Sequence, residues 1–195
     1  MSQDAVLAVV LCEDTQTECF IRRFLVKRDW DRRQIRTETL PAGKGSGLVW
    51  VREKFVNELK AYRSRSTRAA TCLIVASDAD DRAVDERIQT FKDACAEANV
   101  PFRKEGERVI FVIPRRNIET WLAYLRGQSV NEVDAYPKYD NEGDCRGQVT
   151  KLHDLCRRQK QGSNHSLDPA GWAWQVLARC RASCEWSFLG RSTTS

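Results

Sequence analysis

Along the first two thirds of the chain, unbroken apolar runs of strand length alternate with stretches in which apolar side chains recur every three or four positions. The run AVLAVVLC, Ala5 to Cys12, is Val-rich and continuous, as expected of a central parallel strand covered on both faces. TQTECFIRRFLVKR follows, with Phe20, Ile21, Phe24 and Leu25 at helical spacing, and Thr15 or Thr17 is placed to cap its first turn. QIRTETL alternates more weakly and predicts a second strand, followed by the loop PAGKGSG. LVWVREKFVNELKAY is an amphipathic helix with Val51, Phe55, Val56 and Leu59 on one side. Then come the strand TCLIVAS, a helix from about Asp81 to Asn99, and the apolar run RVIFVIP, which Pro114 ends.

Strand and helix in strict alternation predict an α/β fold with a doubly wound, Rossmann-like parallel sheet and flanking helices. From Asn117 onward the pattern is helical. NIETWLAYLRG opens at an Asn cap and stops at Gly127, the polar loop DAYPKYDNEGD follows, and helices are expected around Gly147 to Arg158 and Trp172 to Cys184. Residues 1–127 are thus read as the core, 128–190 as a helical C-terminal extension of the same domain, and 191–195 as a disordered tail.

Composition narrows this only slightly. A chain of 195 residues suits one full core, and a formal net charge of +5 permits a polyanionic partner without demanding one. No basic segment precedes the first apolar run and no run reaches the ~18 apolar residues of a membrane span. A cytoplasmic protein with no membrane association is expected. The eight cysteines include no C-x-x-C pair and several lie within apolar patterns, where a reduced thiol packs as a small hydrophobe. His153 and Cys156, one helical turn apart, read as helix packing rather than as metal ligands, and Trp172, Trp174 and Trp186 as core residues.

Chemistry concentrates where two strands end. Glu13 and Asp14 follow the first strand directly, while Asp78 and Asp80 follow the third in LIVASDADDR. Ligands of an open parallel sheet gather at the carboxyl ends of its strands. Like charges crowded there repel unless a cation or solvent neutralises them. Carboxylates from separate strands supply the oxygen ligands that Mg2+ or Mn2+ prefers, and such an ion can activate water and offset phosphoryl charge. Glu13, Asp78 and Asp80 are the candidate metal ligands and catalytic residues, with Asp14 and Glu18 as further candidate ligands.

VVLCEDTQTECF followed by LIVASDADDR resembles the Toprim pattern, a glutamate after the first strand and a D-x-D after the third. Within that superfamily it is most similar to RloB-like and OLD-type nucleases, whose first motif reads roughly E-G-x-x-T-E. Glu13 matches the first glutamate of that motif, Thr17 and Glu18 its T-E, and Asp78 and Asp80 the two aspartates. Glu119, Trp121 and Leu122 match an E-x-W-L helix after the last strand. The resemblance spans Ala5 to Leu125. Asp14 departs from it, standing where the family usually has glycine, so it adds a ligand or marks a modified site. The resemblance implies a metal-dependent nuclease acting on DNA or RNA in phage defence beside an ABC-type ATPase, since this chain carries no ATPase motif. The alternative is a catalytically silent Toprim-like module for protein interaction.

Arg115 and Arg116 follow the strand VIFVIP and are expected at the same sheet edge, where they can hold backbone phosphates; Lys44 in AGKGSG is a further candidate phosphate contact. The segment Arg22 to Arg36 holds seven basic residues against two acidic ones, and reads as a solvated helix face.

Overall fold

Four runs rich in β-branched and apolar side chains form strands, β1 (Leu7–Cys12), β2 (Ile35–Thr39), β3 (Thr71–Ala76) and β4 (Val109–Val112). They build one all-parallel sheet in the order β2-β1-β3-β4. The computed structural model describes residues 7–160 apart from 42–44, 68, 70, 81 and 132, with the backbone alone at 142 and 158–160. The predicted helix 172–184, the tail 191–195, Lys44 and Asp81 lie outside the described residues.

Helices α1 (Thr15–Lys27), α2 (Gly47–Ser66) and α3 (Val84–Glu97) connect the strands, and α4 (Ile118–Arg126) and α5 (Arg146–Lys160) follow them. Alternation within the strands sends side chains to two cores. Ala8, Val10, Cys12, Cys72, Ile74, Ala76, Ile110 and Val112 pack with α1, α4 and α5. Val9, Leu11, Leu73, Val75, Val109 and Phe111 pack with α2 and α3, where Phe55, Phe91 and Phe111 meet with ring centroids 5.3–5.5 Å apart. Both faces of the sheet are therefore covered, which is why the interiors of β1 and β3 are apolar throughout.

β2 lies at the edge, and its charges show how the edge is managed. Arg36 pairs with Glu38 at 2.6 Å and with Glu58 of α2 at 2.5 Å, while Lys54 reaches Glu38 at 3.1 Å. Charged side chains on an edge strand discourage pairing with another chain. The six described cysteines, Cys12, Cys19, Cys72, Cys95, Cys145 and Cys156, are buried and unbridged. No helix among the described residues is long and apolar enough to cross a membrane.

Two local expectations are corrected. The cap of α1 is Asp14 rather than Thr15 or Thr17: its carboxylate accepts from the Thr17 N–H at 2.8 Å and from Thr17 Oγ1 at 3.1 Å. An ionised acceptor at the positive helix end serves better than a hydroxyl. Helix α3 starts at Val84 rather than near Asp81, because Asp80 takes a left-handed φ of +56° and Ala83 is extended.

Candidate active site

β1 and β3 are parallel neighbours with Cys12 opposite Ala76, so the residues that follow them emerge side by side. Glu13 thus lies beside Ser77, whose hydroxyl Oγ donates to Glu13 Oε1. Beyond Ser77 the chain keeps company with the segment after β4. Ala79 N–H donates to the Pro114 carbonyl at 2.9 Å and Asp80 N–H to the Arg116 carbonyl at 3.2 Å. These bonds bring the backbone of 115–116 to the edge that carries the acids, with the Arg115 side chain exposed and Arg116 half-buried.

Glu13 is closed in from behind by α2. A Cβ added to Gly47, the first residue of that helix, would lie 3.0 Å from Glu13 Cβ and 3.2 Å from its Oε2. The absence of a side chain at Gly47 is what lets the helix N-terminus, with its partial positive charge, approach the Glu13 carboxylate.

Asp78 sits at the centre of the acidic group. Burial, and then the charges of Asp14, Glu13, Glu119 and Asp80, push its carboxyl up to about 8. Burial also raises Glu13, against the lowering pull of the Ser77 hydrogen bond and the Arg87 charge. The buried Cys12 thiol beneath feels the same field: burial raises it first, then Asp14, Glu18, Asp78 and Glu13. Carboxylates from separate points in the sequence therefore share one region, and their charges add to the burial that makes Asp78 and Glu13 harder to ionise.

Glu119 joins them from the first turn of α4. Asn117 caps that helix, accepting from the Thr120 N–H at 3.2 Å, so the cap role is already filled. Glu119 is 3 % exposed and its Oε1 has no hydrogen-bond partner among the described residues. Burial raises its carboxyl, with Lys138 opposing and Asp14 adding to the shift. Gln16 in the first turn of α1 is likewise buried with neither amide atom partnered among the described residues.

Asp80 is placed differently from its neighbours. Its side chain is 69 % exposed and its Oδ2 accepts from Arg87 Nη2 at 2.7 Å. Arg87 is buried, with Nε and Nη1 unpartnered among the described residues. Glu18, one turn along α1, is engaged by Arg22 at 2.7 Å. Glu13, Asp14, Asp78 and Glu119 offer oxygen atoms of the kind a hard divalent cation prefers, and one Glu119 oxygen has no hydrogen-bond partner among the described residues. No group of three or more His, Cys, Asp or Glu among the described residues is, as it stands, arranged to hold a metal ion.

Sequence reasoning missed Ser77, Gly47 and Arg87. Arg87 had a signal: it falls on the stripe Val84, Arg87, Ile88, Phe91, Ala94 and Cys95 that packs against the sheet. Comparison with protein-family models finds no match, and neither does comparison with curated protein sequences.

Proposed function

We propose that the chain is a Mg2+- or Mn2+-dependent nuclease of Toprim-like type, cleaving phosphodiester bonds at the carboxyl edge of β1 and β3. The observation that carries this reading is the crowding of acids around Asp78, whose carboxyl is pushed up to about 8 by burial and by acids from separate elements. A fold keeps such a cluster at a cost unless a cation offsets it. Asp78 and Glu13 would hold the ion, with Asp14, Glu119 and Asp80 as further candidate oxygen ligands. A bound divalent ion supplies charge neutralisation and an acidified water. Ser77 orients Glu13, which then holds or passes a proton at the oxygen that faces away from the hydroxyl. Arg115 and Arg116 hold the flanking phosphates. A role in phage defence beside an ABC-type ATPase rests on the resemblance of the Glu13 and D-x-D motifs alone.

A catalytically silent interaction module is the second reading. The ion pair between Asp80 and buried Arg87 favours it, because the guanidinium already neutralises part of the cluster.

One pair of measurements separates the two. Millimolar Mn2+ is expected to raise the melting temperature of the parent and not of Asp78→Asn, since a ligand that binds only the native state stabilises it by mass action. In parallel, the parent with Mg2+ or Mn2+ is expected to cleave at least one of a single-stranded DNA, a duplex DNA and a transfer RNA. A parent whose melting temperature ignores Mn2+ and which cleaves none of the three is the silent module.

A further inference from the structure

A large concavity among the described residues lies away from the acidic edge. It is a groove of about 890 Å3 between α1, the turn that follows it, and α5. α1 lines it with Arg22, Arg23, Lys27 and Arg28, and the turn adds Arg32. α5 closes the other side with Arg146 and Arg157, and Asp29 is the one acidic residue lining it. Arg22 is tied to Glu18, and Arg23 Nε donates to Cys19 Sγ at 3.2 Å. Lys27, Arg32, Arg146 and Arg157 are exposed, and their side chains form no ion pair among the described residues. Four unmatched cations facing one groove repel each other, and a surface that holds them together is matched to an anion.

We infer that this groove is a docking track for the sugar-phosphate backbone of a nucleic acid. Its length argues for a chain rather than a single phosphate: Arg146 and Arg157 are eleven positions apart on one helix, a rise of about 16 Å. Its composition argues for phosphate, because six of the seven cations are arginines, whose planar forks bind phosphate oxygens in pairs. The track is separate from the acidic edge, and the inference does not depend on cleavage.

The test is binding of fluorescent single-stranded and duplex 20-nucleotide probes in EDTA across a salt series, with the full chain. Each phosphate neutralised contributes a slope of about −0.7 to −0.9 in log affinity against log salt. The combined variant Lys27→Gln, Arg32→Gln, Arg146→Gln, Arg157→Gln is expected to lose about three units of that slope and to bind at least tenfold more weakly. The single reversal Arg157→Glu, which disturbs the fold least, is expected to weaken binding severalfold. A parent that binds neither probe at low salt, or variants that keep its affinity and slope, overturn the inference. A polyglutamate of equal charge that binds as well as the probes overturns it too, since the groove then takes acidic protein. Groove-dependent binding without cleavage under any divalent ion sustains the groove and sinks the nuclease reading; cleavage with groove-independent binding does the reverse.

Discussion

Asp78 and Asp80 look equivalent in the string DAD, but their surroundings give them opposite roles in stability. Asp78 is raised from 3.8 to about 8, so between those values the native state holds a proton that the unfolded chain has released. Stability is therefore lost as pH rises through this window, by at most about 1.4 kcal/mol per pH unit. Raised Glu13 and Glu119 act in the same direction. Asp78→Asn removes the penalty. Its advantage over the parent in chelator is expected to be small near pH 4 and to grow to a few kcal/mol by pH 8, about 5 °C or more in melting temperature. Asp80→Asn is expected to do the contrary, losing about 1–3 kcal/mol at pH 7 because it leaves the buried Arg87 guanidinium without its anion. Asparagine tolerates the left-handed backbone at this position, so the substitution isolates the charge. Thermal unfolding of both variants from pH 4 to 9 decides the matter, and parallel behaviour would mean that the two carboxylates share one environment.

At the scale of elements, what the sequence disclosed followed from how local the cause was. The runs LAVVLC, TCLIVA and VIFV announce strands because both faces of this sheet are covered, and Asn117 and Gly127 bracket α4 because caps act within one turn. The α1 cap was misread among adjacent candidates, where only geometry tells which oxygen reaches the Thr17 N–H. Gly47 reads as the end of the loop PAGKGSG because its constraint is Glu13, thirty-four positions away, and no local pattern records that. The same holds for the α1–α5 groove, whose α1 cations read as a solvated face until Arg146 and Arg157 stand opposite. The seam between α2 and β1 is testable at Gly47→Ala. Alanine favours the helix by up to ~1 kcal/mol, which offsets part of the crowding against Glu13, so the melting temperature is expected to stay within a few degrees of the parent. The Glu13 carboxylate, however, must move. A misplacement on the order of 1 Å can cost ~100-fold in turnover, so a shift of a few tenths of an ångström should lower cleavage about two- to tenfold, and the Mn2+-dependent rise in melting temperature should shrink. A variant that keeps both would show that α2 merely lies near the site.

The whole molecule separates its charges along α1. The acids crowd the end of that helix where Asp14 caps it, and the cations of the groove line its other half, from Arg22 to Arg28. At a rise of ~1.5 Å per residue, the groove begins about 10 Å from Thr15 and ends about 20 Å from it. A nucleic-acid strand advances ~3.4 Å per nucleotide along a duplex axis, so a strand with its scissile phosphate at the acidic edge reaches the far end of the groove about six nucleotides away. If both proposed sites engage one substrate, kcat/KM should rise with oligonucleotide length until about six nucleotides lie on one side of the cut, and then level off. That gain should fade as salt increases, because it is made of phosphate contacts, and it should be lost when Lys27, Arg32, Arg146 and Arg157 are neutralised. A series of substrates lengthened one nucleotide at a time, first on the 5′ side and then on the 3′ side, also tells which way the strand runs over α1. Cleavage that ignores length on both sides, by a protein whose groove still binds the probes, would mean that the groove holds a different stretch of nucleic acid from the one being cut.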